Sequence, residues 1–334
     1  MNYDEFAFFN QQLAGMLRDG IPLEGAVRQL CKSMRKSRAR RELEALGADL
    51  ANGTPLGDAL TRRRLPPLYA RMLQIGAKGN DLPAVLTMVA DYYHKANAVG
   101  TRLKGVLVYP ALVLLLALGL SVFFAIVLIP LSQAIIADMS EMRMQIAPGV
   151  RALQVSAFVP PLTVAAVVVL VLVMAAVPAL RRKLRWRLPP FREVSLAQTA
   201  SAMALLLRGG CTLDDSIGML EALEGQSRAA AELAQWRARL AEGHARFTDL
   251  ALGGSIFPPL FVWLVDSSGE DLARGFEQAA DIYYGRAGHR IEMVLYGILP
   301  VSILVLGSMV ALQVTSVLGS LIQFMRLMSA MGGY

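Results

Sequence analysis

Hydrophobic residues recur at helical spacing through the first hundred positions. Phe6, Phe9, Leu13 and Leu17 share one face of a helix predicted over 3–19, and Gly20 supplies its stop. Pro22 then opens a second helix from its first turn, with Leu23, Val27 and Leu30 on one side. A third helix is expected to run to about Leu50 and end at Asn52-Gly53. Thr54-Pro55 reads as an N-cap and first-turn proline for a short fourth helix ending near Arg62. Leu65-Pro66-Pro67 starts a fifth that ends near Gly76 and Gly79, and Asp81 caps a long sixth. No alternation of period two interrupts this, so the pattern predicts an all-α bundle.

The pattern then repeats. Leu82 and Leu272, Asp91 and Asp281, Tyr93 and Tyr283, and Pro110 and Pro300 are each 190 positions apart. Leu17-Arg18-Asp19-Gly20 matches Leu207-Arg208-Gly209-Gly210 at the same offset, while Leu65-Pro66-Pro67-Leu68 matches Phe257-Pro258-Pro259-Leu260 at 192. The chain is therefore read as a duplicated unit, a helical bundle followed by an apolar helix.

Polarity disappears altogether in three segments. Residues 106–131, 155–180 and 294–322 contain no Asp, Glu, Lys, Arg or His. A hydrocarbon core needs about 20 helical residues, and each segment is longer. The expected organisation is a cytoplasmic bundle over 1–105, membrane helices over 106–131, 155–180 and 294–322, a periplasmic loop over 132–154, a second cytoplasmic bundle over 181–293 and a periplasmic tail over 323–334. The middle span has no duplicate; it returns the chain so that both bundles share a compartment. No cleavable leader is expected, because 1–12 is polar and acidic.

Charge sets the orientation. Arg102 and Lys104, the cluster Arg181, Arg182, Lys183, Arg185 and Arg187, and then Arg286 and Arg290 flank the spans on one side, which the positive-inside rule assigns to the cytoplasm. With Trp186 among them, residues 181–187 read as an interfacial anchor. The first bundle carries 16 basic and 10 acidic residues and the second 14 of each, so the net charge of +7 belongs mainly to the first.

Several classes of chemistry find no support. No Gly-x-x-x-x-Gly-Lys-Ser/Thr loop occurs, His94, His244 and His289 lack metal-ligand spacing, and neither Cys31 nor Cys211 has a histidine nearby. The expectation is a protein without catalysis, cofactor or metal, whose cysteines stay reduced. A transporter or receptor is the rival reading. Transporters place ionisable groups inside the membrane, and none lies in these spans.

The motifs Leu17 to Leu23, Leu65-Pro66-Pro67, Gly76 to Leu82, Val108-Tyr109-Pro110, Ile129-Pro130, Leu188-Pro189 and Gly209 to Leu213 together resemble the secretion F family. These are the integral inner-membrane platform proteins of bacterial type II secretion and type IV pilus machines. The resemblance covers nearly the whole chain. It implies a multi-pass platform, N-terminus cytoplasmic and C-terminus periplasmic, coupling a cytoplasmic hexameric ATPase to pilins, or to pseudopilins in a secretion machine. Other inner-membrane assembly proteins, the lipid bilayer and further copies of the chain are its implied partners, and nucleic acid is not. Where many members carry Gly-Glu, this chain has Gly76-Ala77 and Val265-Asp266. Its start, close to the first helix, leans towards the type IVb pilus variant.

Three groups of residues stand out against that background. The basic run Lys32, Arg35, Lys36, Arg38, Arg40 and Arg41 can be a solvated face, a contact for anionic headgroups, or a dock for an acidic patch on the ATPase. Pro110 and Pro300 each remove a backbone hydrogen bond within an apolar helix, giving a static kink or a hinge. Gly307, Ser308, Ala311 and Gly319 form a small-residue surface for close helix approach, within the chain or between copies.

Overall fold

The computed structural model describes residues 3–141, 162–163, 165–166, 169, 189–225, 227–244 and 246–331, less some side chains along the two longest helices. Every element among them is a helix, in the order α1 (Tyr3–Arg18), α2 (Leu23–Ser33), α3 (Arg38–Ala51), α4 (Leu56–Thr61), α5 (Pro67–Lys78), α6 (Leu82–Glu141), α7 (Pro189–Arg208), α8 (Leu213–Glu224), α9 (Arg228–Ala241), α10 (Phe247–Leu250), α11 (Pro259–Asp266) and α12 (Leu272–Met331). Two compact units result, Met1–Arg102 with Arg182–Arg290, and Leu103–Arg181 with Ile291–Tyr334. Six helices begin in each copy, as the pattern predicts. The membrane anchor expected over 181–187, most of the second span and most of the loop over 132–154 lie outside the described residues.

The duplication extends to individual hydrogen bonds. Helix α1 ends with Gly20 N–H on Leu17 O at 3.1 Å and Ile21 N–H on Met16 O at 3.0 Å, and α7 ends with Gly210 on Leu207 O and Cys211 on Leu206 O, both 3.0 Å. This termination needs a left-handed residue, and the two glycines have φ of 82° and 87°. Ser37 accepts from Arg40 N and Ser227 from Ala230 N, each at 3.1 Å, capping α3 and α9. Asp81 and Asp271 do the same for α6 and α12, accepting from Ala84 N at 3.1 Å and Arg274 N at 3.0 Å. Arg18 donates to Thr87 at 2.5 Å, and at the equivalent positions Arg208 pairs with Glu277.

One carboxylate per copy ties the third helix of its bundle to the strap that follows. Glu42 accepts from Arg64 N at 3.1 Å. Its counterpart Glu232 is buried and takes three amides, Ser255 at 3.1 Å, Ile256 at 2.9 Å and Phe257 at 3.3 Å. Gly254 is obligatory beside it, since a β-carbon there would collide with the carboxylate. The crossing of the second and third helices shows an exchange. In the first bundle Gly47 lets α3 close on α2, with Val27 Cγ1 3.2 Å from where its β-carbon would be. In the second the glycine is on the other helix, and Arg237 lies over Gly218 at 3.4 Å.

Aromatic rings fill both interiors. Phe6 meets Tyr69 and Tyr93 edge-on at 4.7 and 4.9 Å, and Trp236 packs on Phe247 and Phe257 at 5.1 and 4.5 Å. Each such ring contributes about 1.5–3 kcal/mol through burial. Phe6, Phe9 and Leu13 are buried as the periodicity predicts. The two bundles do not form separate cores: their buried residues make one cluster. Gly209 of the second bundle lies against Met72 of the first, whose Cε is 2.9 Å from the glycine's β-carbon position. Lys95 pairs with Asp281 at 2.7 Å across the same contact.

Some boundaries differ from the sequence reading. Pro22 and Pro55 stand at the N-cap, with φ of −58° and −56°, and not inside the first turn; Thr54 is therefore not the cap. Helix α6 continues past Leu131 to Glu141, and α12 past Ile322 to Met331. Residues 132–141 contain neither Gly nor Pro to stop it, and the expected loop therefore opens as helix. Among the described residues no helix is long and apolar enough to cross a membrane. Apolar side chains on α6 are nonetheless exposed in series, among them Val108, Leu112, Leu115, Leu116, Phe123 and Ile126.

Candidate functional site

The basic run forms a ridge where α2 hands over to α3. Lys32 lies in the last turn of α2, Arg35 and Lys36 in the connection, and Arg38, Arg40 and Arg41 in the first turn of α3. Three cations at a helix N-terminus oppose the helix dipole, which favours anions there by about 0.3–1 kcal/mol each. Ser37 holds the cap, and Glu5 fixes the connection by accepting from Arg35 N at 2.6 Å.

These cations are not equivalent. Arg40 is half-buried and already committed, donating to Glu44 at 2.7 Å and to Met34 O at 2.8 Å. It is engaged within the fold through both of these bonds. Lys32, Arg35, Lys36, Arg38 and Arg41 are exposed. Lys36, Arg38 and Arg41 border an open groove of about 580 Å³. A second groove, about 440 Å³, lies between Arg38, Arg64, Leu65, Tyr3 and Tyr93. Arg64 and Tyr3 were not singled out from the sequence. The run Arg62-Arg63-Arg64 was the available signal, and of its members Arg63 is spent on Asp49.

Beneath the ridge Cys31 is buried. Burial, and then the Glu44 charge, push its thiol up to about 11, partly offset by Arg40. Burial likewise raises Cys211, against the lowering effect of Arg71. Both are free thiols that stay protonated at neutral pH. No group of three metal-ligating side chains occurs among the described residues.

The second bundle is an internal control. At an offset of 190 the six cations become Ala222, Gly225, Gln226, Arg228, Ala230 and Ala231. One arginine remains of six basic residues, yet the helices, the serine cap and the glutamate tie are all present. Most of this charge is therefore not required by the fold.

The other sequence-derived groups are not part of this ridge. Pro300 lies inside α12, which continues on both sides of it, and Pro110 lies at the equivalent position of α6. Gly307, Ser308 and Ala311 are exposed and Gly319 is half-buried. Ser308 donates to Val305 O at 2.9 Å within its own helix. In the same unit Leu306 packs against Ala117.

Comparison with known proteins follows the duplication. The family described as type II secretion system (T2SS), protein F matches residues 9–130 and again 199–319. Type 4 fimbrial assembly protein PilC of Pseudomonas putida is 28% identical over 325 residues, covering 91% of this chain and 80% of that protein. Type IV pilus assembly protein PilC of Thermus thermophilus is 24% identical over 92% of this chain and 79% of its own length. Type II secretion system protein F of Vibrio cholerae is 28% identical over 38% of this chain and 32% of its own.

Proposed function

Because the chain belongs to the type II secretion system protein F family, we propose that it is the inner-membrane platform of a type IV pilus assembly machine. It passes the motion of a cytoplasmic ATPase to pilins and performs no catalysis itself. The observation that supports the pilus reading is that both relatives aligning along more than nine-tenths of the chain are pilus assembly proteins, while further pilus and secretion relatives alike align along less than two-fifths of it. The three charge-free segments, each longer than a bilayer requires, support membrane insertion, as does the exposed apolar surface of α6. Pro110 and Pro300 are proposed as the points where movement of a bundle tilts its membrane helix.

The motor docks on the ridge of the first bundle. Five exposed cations, four of which have no basic twin in the second bundle, give a surface suited to an acidic partner, steering its approach and fixing its orientation. The test is co-purification of the detergent-extracted chain with a pilus assembly ATPase from the same organism. Reversing Lys36, Arg38 and Arg41 to Glu, with Arg40 left intact, is expected to weaken recovery at least tenfold. Arg228→Glu is expected to leave it unchanged. Equal recovery from both variants removes the ridge as the dock.

A further inference from the structure

The contact between the two bundles is not two-fold symmetric, although the bundles are copies of one another. The first bundle contributes α5, through Arg71 and Met72, and the face of α6 bearing Met88, Asp91, Tyr92 and Lys95. The second contributes the end of α7, through Leu205, Gly209 and Cys211, and the face of α12 bearing Glu277, Ala280 and Asp281. Brought into one numbering, those α12 positions are 87, 90 and 91. With His94, which lines the same pocket, the α6 set is 88, 91, 92, 94 and 95; the two sets share position 91, and the α12 set otherwise sits one residue back, about 100° around the helix. Each bundle thus has a face of type one, built on its fifth and sixth helices, and a face of type two, built on its first and sixth. Inside the chain a type-one face meets a type-two face, a head-to-tail contact, and two complementary faces are left over.

Those two leftover faces carry exposed apolar side chains at the positions that make the internal contact. Arg71, which lies beside Cys211, corresponds to Trp263 at the offset of 192, and Cys211 corresponds to Ile21 at 190. Trp263 is 62% and Ile21 37% exposed. Ile282, the counterpart of Tyr92, is 40% exposed. Phe8, a turn before the counterpart of Ser201, is 61% exposed. Gly15 replaces Leu205 there and has nothing within 4 Å of its β-carbon position, leaving open space for an incoming side chain. The substitution has a physical direction. A contact tethered within one chain can use Arg on Cys, whereas one between separate chains must also overcome the loss of translational and rotational freedom and gains from apolar burial.

We propose that the chain assembles head to tail with further copies of itself, the Trp263 and Ile282 face of one second bundle seating on the Phe8, Gly15 and Ile21 face of the next first bundle. Such a heterologous contact repeats bundle one, bundle two, bundle one, and closes into a ring when its rotation permits. The reading is independent of which cargo the machine moves and of where the motor docks.

Disulfide trapping in native membranes tests it. In a full-length Cys31→Ala, Cys211→Ser background, two differently tagged copies are co-expressed, one with Trp263→Cys and the other with Ile21→Cys. Mild oxidation is expected to link the two tags, and a chain carrying both substitutions is expected to give a ladder beyond the dimer. Either substitution alone is expected to give no link. Linkage by Trp263→Cys alone means a symmetric contact and overturns the proposal, as does absence of linkage in every pairing. Trp263→Ala in the otherwise native chain supplies a second measurement: far-UV circular dichroism and melting as in the parent, with a smaller oligomer mass in detergent. An unchanged mass also overturns it.

Discussion

Glu232 gives the sharpest test of how these bundles are held together, because the duplication supplies its own reference. Replacing it by Ala takes the acceptor from three amides, two of them on the buried residues Ile256 and Phe257. A buried amide that loses its acceptor costs about 1–3 kcal/mol, so two cost about 4 kcal/mol at mid-range. The Ser255 amide, nearer the surface, adds little. In Glu42→Ala a single amide, that of Arg64, is freed at an exposed site, and about 1 kcal/mol is expected. For a unit of about 200 residues this translates into a melting temperature lowered by about 8–16 °C for Glu232→Ala and about 2–4 °C for Glu42→Ala. Trp236 is buried 4.5 Å from Phe257 and reports on the same strap, so tryptophan fluorescence of the detergent-purified protein is a suitable probe. Glu232→Gln retains one acceptor oxygen and is expected to fall between parent and Ala. Equal shifts for the two alanine variants, or a loss below about 1 kcal/mol at Glu232, would refute the reasoning.

Two further outcomes follow from the same geometry. The folded state holds the Cys31 proton up to about 11 against 9.0 in the unfolded chain. The associated stability is fully present below about pH 9 and is lost as pH rises towards 11; Cys31→Ala is expected to melt with a flatter dependence over that window, checked by thermal scans of both proteins. Replacing Pro110 and Pro300 together by Leu is expected to abolish pilus assembly while leaving circular dichroism and oligomer mass unchanged, and normal piliation of the double variant would retire the hinge.

Much of the fold was legible because helices announce themselves. The apolar faces of α1 and α2, the stop at Gly20 and the cap at Asp81 are local signals, and the offset of 190 carries them into the second copy. Long-range polar ties were not legible. The Glu42 and Glu232 bonds run to backbone amides, which every residue possesses, so no residue type marks the acceptor's target. The ridge was visible as a count of cations, but a count does not show which ones are engaged. The i,i+4 spacing of Arg40 and Glu44 was the clue to that engagement. How the bundles meet was out of reach, since it depends on Met72 and Gly209, 137 positions apart, and on which side of each sixth helix is used.

The reciprocal glycine at the crossing of the second and third helices shows that the halves have diverged as matched pairs. Position 28 holds Arg where its twin is Gly218, and Gly47 stands where its twin is Arg237. Grafting α2 alone into the later half would confront two guanidinium groups over one gap, and grafting α3 alone would leave that gap empty. Recombination between the repeats is therefore viable only where both members of the pair travel together.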